Sequence, residues 1–214
     1  EIHRRGPRAH HIDIAPFDLV HEMLGQRCDV LFHGGPARMR EHPAELHLAP
    51  YLSTYAYAVN LARLPDARAR RALAMAVDHE RITRQITGAG ERPAFGWVPD
   101  GIPGYAPARF EWQDVPYPRA ATCARKLWQT ASAAGKAPTK IKLCTDASAN
   151  HHRTAIALAD LWRTALGVET EIVELEWNVY LDTRHNPGDC DLVRLGWSAD
   201  FVDPEAFADV FESG

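Results

Sequence analysis
The sequence has no run of about 20 apolar residues that would cross a membrane as a helix. It has no surplus of positive charge either. Its 24 Lys and Arg stand against 28 Asp and Glu, a net charge of -4, so no electrostatic footprint points to a nucleic-acid partner. G-x-S-x-G, H-E-x-x-H, the P-loop and G-x-G-x-x-G are all missing, so the common signatures of serine hydrolases, zinc proteases and nucleotide-binding enzymes give no support to catalysis. Cysteine is sparse: Cys28, Cys123, Cys144 and Cys190 form no C-x-x-C. Four cysteines allow three pairings, and buried free thiols are an equal alternative. The opening Glu1-Ile2-His3-Arg4-Arg5 lacks the apolar run of a secretory leader. Either a leader has been removed or the chain begins inside a longer protein.

What is present is an ordinary globular composition, 46% hydrophobic and 24% charged, enough for a core. Histidine is plentiful, with adjacent pairs His10-His11 and His151-His152. Neighbouring side chains diverge on a helix or strand, and no pair four apart stands with a carboxylate, so neither a metal nor a cofactor is expected.

Periodicity predicts a helix over Pro16–Gln26, a buried strand at Cys28–Phe32, a short helix at Ala37–Glu41, and strands at Glu45–Leu48 and Thr54–Asn60. Two helices follow within 66–87, capped by Asp66 and Asp78. Their arginines, Arg68, Arg70 and Arg71 among them, fit a solvated face; a phosphate-binding patch is the sharper alternative. Residues 88–118 are rich in Gly and Pro, and read as an irregular segment tied down by Phe95, Trp97, Tyr105, Phe110, Trp112 and Tyr117. Helix, strand, helix and strand then alternate. The helices are Arg119–Ala134 and one capped by Asn150 that turns Ile156, Ala159 and Trp162 inward and stops at Gly167. The strands are Lys140–Thr145 and Val168–Glu176, the latter with a phase slip at Ile172-Val173 that suggests a bulge or a strong twist. A helix over Asn178–His185, the strand Asp191–Trp197 and a last helix opened by Asp203-Pro204 complete an α/β pattern with a parallel or mixed sheet.

Ligands of such sheets favour the carboxyl ends of strands. The strand ending at Gly196-Trp197 opens there into Ser198-Ala199-Asp200. Gly196 lets another backbone approach, Trp197 offers an apolar wall, and Asp200 either receives an ammonium group or caps a turn. Upstream, Trp177 and Arg184 share a face if the helix begins at Trp177, which suits a planar polar ligand. Equally, Trp177 is core and Arg184 pairs with Asp182 or Asp189.

Ala49–Asn60, Asp66–Ile82, Pro99–Tyr105, Glu176–His185 and Arg194–Pro204, in this order and spacing, resemble the oligopeptide- and dipeptide-binding proteins of ABC importers, the family 5 solute-binding proteins. The resemblance implies a periplasmic-binding-protein-like type II (cluster C) fold of two α/β lobes that close on a ligand. Residues 1–50 would be the end of the first lobe and the approach to the hinge. Residues 51–214 would be the second lobe, incomplete at its carboxyl end, so that the chain is a fragment or a reduced relative. It implies an extracytoplasmic, periplasmic monomer that is no enzyme, captures oligopeptides and delivers them to permease subunits. Residue by residue, Asp200 matches the acid that takes the peptide amino terminus. Gly196, Trp197 and Ser198 match the strand end that bonds the peptide backbone. His151, Trp177 and Arg184 match pocket positions, and Arg194 buttresses them. Ala58 departs from an acidic pocket residue of some relatives, and Ser53 and Ser198 from two cysteines that can pair. Two alternatives stay open: the sensing domain of a cytoplasmic regulator that reuses the fold, and a binding protein for a non-peptide solute.

Overall fold
A computed structural model describes residues 51–88 and 90–211 in full and 20–24 as backbone. Among the described residues the strands are β1 (Val20–Leu24), β2 (Ser53–Val59), β3 (Pro93–Ala94), β4 (Lys140–Asp146), β5 (Glu169–Leu175) and β6 (Leu192–Ser198). They form a six-stranded mixed sheet in the order β3-β1-β2-β6-β4-β5. The helices are α1 (Ala67–Met75), α2 (His79–Arg81, continued by a π-turn over Ile82–Thr87), α3 (Tyr117–Ala133), α4 (Ala149–Leu166), α5 (Trp177–His185) and α6 (Glu205–Ala208). β4 runs parallel to β5 and β6, as helical crossovers require, while β2 pairs antiparallel with β6 from Ser53↔Ser198 to Val59↔Leu192. The carboxyl ends of β4, β5 and β6 therefore meet the amino end of β2.

Both faces of the sheet are covered, so its central strands are apolar on both sides. On one face Tyr57, Val59, Ile141, Leu143 and Leu192 pack with Leu73, Trp128, Leu158 and Trp162 of the helices. The Trp162 indole N–H donates to the Leu73 carbonyl at 3.0 Å, so its polar edge is satisfied inside the core. On the other face Ala56 and Leu195 pack with Trp97, Ile102, Ala206 and Phe207. The irregular 88–118 segment is held as its aromatics predict. Trp97 donates from Nε1 to the Phe207 carbonyl, and its own carbonyl accepts from Thr54. Phe110 stacks on Trp112, and Gly96 stands where a Cβ would lie 2.0 Å from the Ala108 carbonyl oxygen, so the segment folds back on itself only with glycine there.

Several expectations change. Val20–Leu24, read within a helix, is a strand that pairs with β2 and β3. Pairing the open edge of β2 satisfies a row of backbone groups that a local helical period cannot. The other elements expected before residue 50 lie outside the described residues. β5 has no bulge, since it pairs with β4 in continuous register from Lys140↔Glu169 to Asp146↔Leu175. Both Ile172 and Val173 are apolar because they pack on clusters on opposite faces of the sheet. Ile156 of α4 points outward, 49% exposed, while Thr154, Ala155, Leu158, Leu161 and Trp162 are buried. α4 begins at Ala149, and Asn150 takes a bond from Arg153 instead of capping the helix. Asp66 and Asp78 do cap α1 and α2, accepting from Arg68 N and Arg81 N. The arginines have partners: Arg68 pairs with Asp66, Arg70 donates to the Leu64 and Pro65 carbonyls, and Arg71 pairs with Glu111 over the Trp112 ring. That leaves little for a phosphate.

Candidate functional site at the carboxyl ends of the strands
Cys144 and Cys190 form a disulfide that closes a 46-residue span and ties β4 to the approach to β6. Cys123 is a free, exposed thiol. The cross-link reinforces a short seam, because β4 and β6 pair only at Leu143↔Leu192 and Cys144↔Val193. Beyond that seam the strands diverge, and charged side chains occupy the gap.

At its centre is Asp146, the last residue of β4 and nearly buried. Its Oδ1 lies 2.7 Å from His151 Nδ1 and 2.8 Å from Arg194 Nε. The Arg194 contact is an ion pair whose Nε–H does not aim at the oxygen, since Nε has no hydrogen-bond partner among the described residues. The Arg194 guanidinium lies over the rings of Tyr55 and Tyr180, 5.4 and 4.9 Å from their centroids. The buried Tyr180 hydroxyl donates to the Arg194 carbonyl at 3.0 Å. His151 packs on Tyr55 with ring centroids 5.3 Å apart. Burial works to raise the Asp146 pKa, but the charge of Arg194 and the contact with His151 outweigh it and hold the carboxyl below its usual range. Burial raises the pKa of the Tyr180 phenol.

Of the residues expected to bind ligand, His151 and Arg194 belong to this cluster, and Gly196 and Trp177 meet it through Arg194 and Tyr180. Gly196 pairs with Tyr55, and a Cβ on it would meet Arg194 Nη1 at 3.2 Å. Its bareness makes room for the guanidinium, a use the sequence reading assigned to an approaching backbone. Trp197, half-buried, donates from Nε1 to the Ala206 carbonyl and so anchors the loop beyond β6. Ser198 and Ser53 face each other across β2 and β6 with their Oγ atoms 3.0 Å apart, which fits the idea that two cysteines at these places would pair. Asp200 is exposed on the bend after β6, and its side chain makes no bond among the described residues. It caps no turn. Trp177 is 52% exposed, not core, and its ring lies 5.5 Å from Tyr180. Arg184 pairs with neither candidate acid: Asp182 accepts from Asn186 and Asp189 pairs with Lys142. Its Nε is sealed from solvent without a partner among the described residues. Ala58 packs on the cluster around Trp97.

The sequence reading missed Asp146 as a site residue. The available signal was an acid at the carboxyl end of the apolar strand Ile141–Thr145, directly before a helix. Adjacent histidines do diverge, His151 to Asp146 and His152 to Glu174.

A model of the bacterial extracellular solute-binding proteins, family 5 (middle part), matches residues 31–214. The chain belongs to the family 5 bacterial extracellular solute-binding proteins. The periplasmic murein peptide-binding protein MppA of Escherichia coli is 32% identical over 177 residues, 82% of this chain and 33% of that protein. The probable deoxycholate-binding periplasmic protein YgiS of Escherichia coli is 31% identical over 180 residues, 83% of this chain and 33% of that protein. The structure of Burkholderia pseudomallei OppA superposes with a TM-score of 0.76 at 32% identity, covering 85% of this chain and 36% of that one. The chain thus spans about a third of the length of the family members it matches. These relatives are binding proteins, and the fold is the type II binding-protein fold the resemblance implied. Among the described residues no helix is long and apolar enough to cross a membrane.

Proposed function
We propose that this chain supplies the ligand-holding part of an extracytoplasmic solute-binding protein that captures oligopeptides for an ABC importer and catalyses nothing. The observation that carries the reading is the shielded Asp146–Arg194–His151 cluster, with the exposed Trp177 against its Tyr180 and, past the end of β6, an Asp200 whose side chain has no partner among the described residues. A peptide brings complementary chemistry: an ammonium group for Asp200, main-chain groups for the end of β6, and side chains that meet aromatic surface. Gly196, Trp197 and Ser198 offer the strand end, and Arg184 and His151 line pockets with Arg194 behind them. The Cys144–Cys190 disulfide supports a periplasmic setting, since such bonds persist in oxidising compartments, and speaks against a cytoplasmic sensor. Permease subunits are the expected partners of the whole monomeric protein.

The test is calorimetry with free and amino-acetylated forms of one peptide. Asp200→Asn weakens the free form selectively. In a cleft closed by both lobes the loss reaches ~3–5 kcal/mol, because an ammonium is left unpaired out of water; in a solvent-open site it falls to about 0–1 kcal/mol. Equal loss for both forms refutes the role of Asp200. A second reading, capture of an amphipathic non-peptide acid, draws on the likeness to the probable deoxycholate-binding protein. Deoxycholate binding that displaces no peptide and survives Asp200→Asn would favour it.

A further inference from the structure
We propose that Asp146 is a specificity-determining residue: its carboxylate stands between Arg194 and His151 where a ligand carboxylate would otherwise sit, so this part of the crevice rejects a free carboxylate and takes neutral acceptors such as amide carbonyls. The proposal rests on the ligand-binding reading of the crevice.

Both basic side chains converge on one oxygen, Asp146 Oδ1. An arginine and a histidine gathered at a single point make a carboxylate receptor, and here the protein fills it from its own β4, with the arginine held by charge and not by an aimed Nε–H. The three side chains are 10% (Arg194), 11% (Asp146) and 23% (His151) exposed, so the group is shielded but not sealed. The guanidinium charge is matched by Asp146 at contact distance. A second carboxylate entering here would gain little from Arg194 and would stand beside the like charge of Asp146. An amide carbonyl brings a dipole without a charge. It finds donors, because among the described residues the guanidinium meets only the Asp146 carboxylate and the Tyr180 hydroxyl, which leaves further N–H groups of its fork over. The Tyr55 and Tyr180 rings and the bare Gly196 fix the plane of the guanidinium, so those donors are held in place without a ligand. Short peptides whose carboxyl terminus would fall at this place are disfavoured, and longer peptides that run past it with an amide bond are accepted.

Two measurements test this. The first uses acetate as probe and reads the Arg194 side-chain and His151 ring resonances by NMR. In the native protein acetate causes no saturable shift; in Asp146→Asn, which keeps the shape and removes the charge, it does. The second measures affinity for tri-alanine with a free or an amidated carboxyl terminus. The native protein prefers the amidated form by about threefold or more, and Asp146→Asn comes to prefer the free acid by about tenfold or more, the size of one partly shielded charge contact. A saturable acetate response or a tenfold acid preference in the native protein overturns the proposal without recourse to the variant. So does a folded Asp146→Asn that gains neither. If acetate behaves as expected but neither peptide binds either protein, the peptide reading fails and the role of Asp146 as internal carboxylate stands.

Discussion
The two ends of the seam between β4 and β6 each carry a nearly buried aspartate, and they are built differently. At the amino end Asp191 accepts from Arg63 Nε at 2.6 Å through Oδ1 and from the Lys142 backbone N–H at 2.7 Å through Oδ2. Its own carbonyl accepts from Asn60 N, and the Asn60 side chain closes the neighbouring turn by donating to Gly188 and Cys190. Every strong group there has a well-directed partner. At the carboxyl end Asp146 gathers two basic side chains on one oxygen, and among the described residues Arg194 Nε lacks a directed acceptor, nearby Arg184 Nε has none, and the Asp200 side chain is unbonded. Buried polar groups in proteins are normally satisfied, so leftover hydrogen-bonding capacity marks where an outside molecule is expected. The first end is a knot that holds the fold; the second is where the proposed site lies.

The largest effect is expected at the bond between these ends. Cys144→Ser with Cys190→Ser lowers stability by roughly 4 kcal/mol if chain entropy governs the 46-residue closure. Urea unfolding with and without reductant measures it, and a native protein indifferent to reductant would show the cross-link idle. Next comes Asp191→Ala, which strands the Lys142 N–H and frees Arg63 to solvent. It costs about 2–3 kcal/mol of stability and leaves the peptide preference unchanged. A change in ligand preference from this variant would erase the distinction drawn between the two ends.

Asp146→Asn is milder in stability, about 1–2 kcal/mol at neutral pH, since the amide still receives His151. Its pH dependence has a definite sign. The Asp146 pKa is depressed in the folded protein, so its contribution is full above the unfolded carboxylate value of about 3.9 and is lost as pH falls through the folded value. The stability gap between native protein and Asp146→Asn therefore narrows below about pH 4. A gap that widens on acidification contradicts the ion pair. The smallest stability effect belongs to Trp177→Ala, within about 0.5 kcal/mol, because the ring is half exposed; peptide affinity should fall nonetheless.

Much of this was legible in the sequence after residue 50. Ala69, Leu73 and Ala76 at helical spacing, caps at Asp66 and Asp78, and the stop at Gly167 state local rules that tertiary structure did not override. Val20–Leu24 was misread because strand pairing with β2 is a long-range bond that no local period records. Ile172-Val173 misled because a strand buried on both faces loses its alternation. The site was half legible. Gly196–Asp200 announced itself as a strand end opening into an acidic loop, whereas Asp146 and Asp191 are the same residue type at either end of the same seam. Only the direction of their partners' N–H bonds separates knot from site, and that is a property of coordinates.

The most direct test of the account is an NMR titration of the purified chain with tri-alanine, which registers even millimolar binding. Amide shifts at Gly196–Asp200, with His151 and the Trp177 indole, and none at Asn60 or Asp191, are the predicted result. Shifts centred on Asp191, or at the outward Ile156 face of α4 while Gly196–Asp200 stay still, would contradict it.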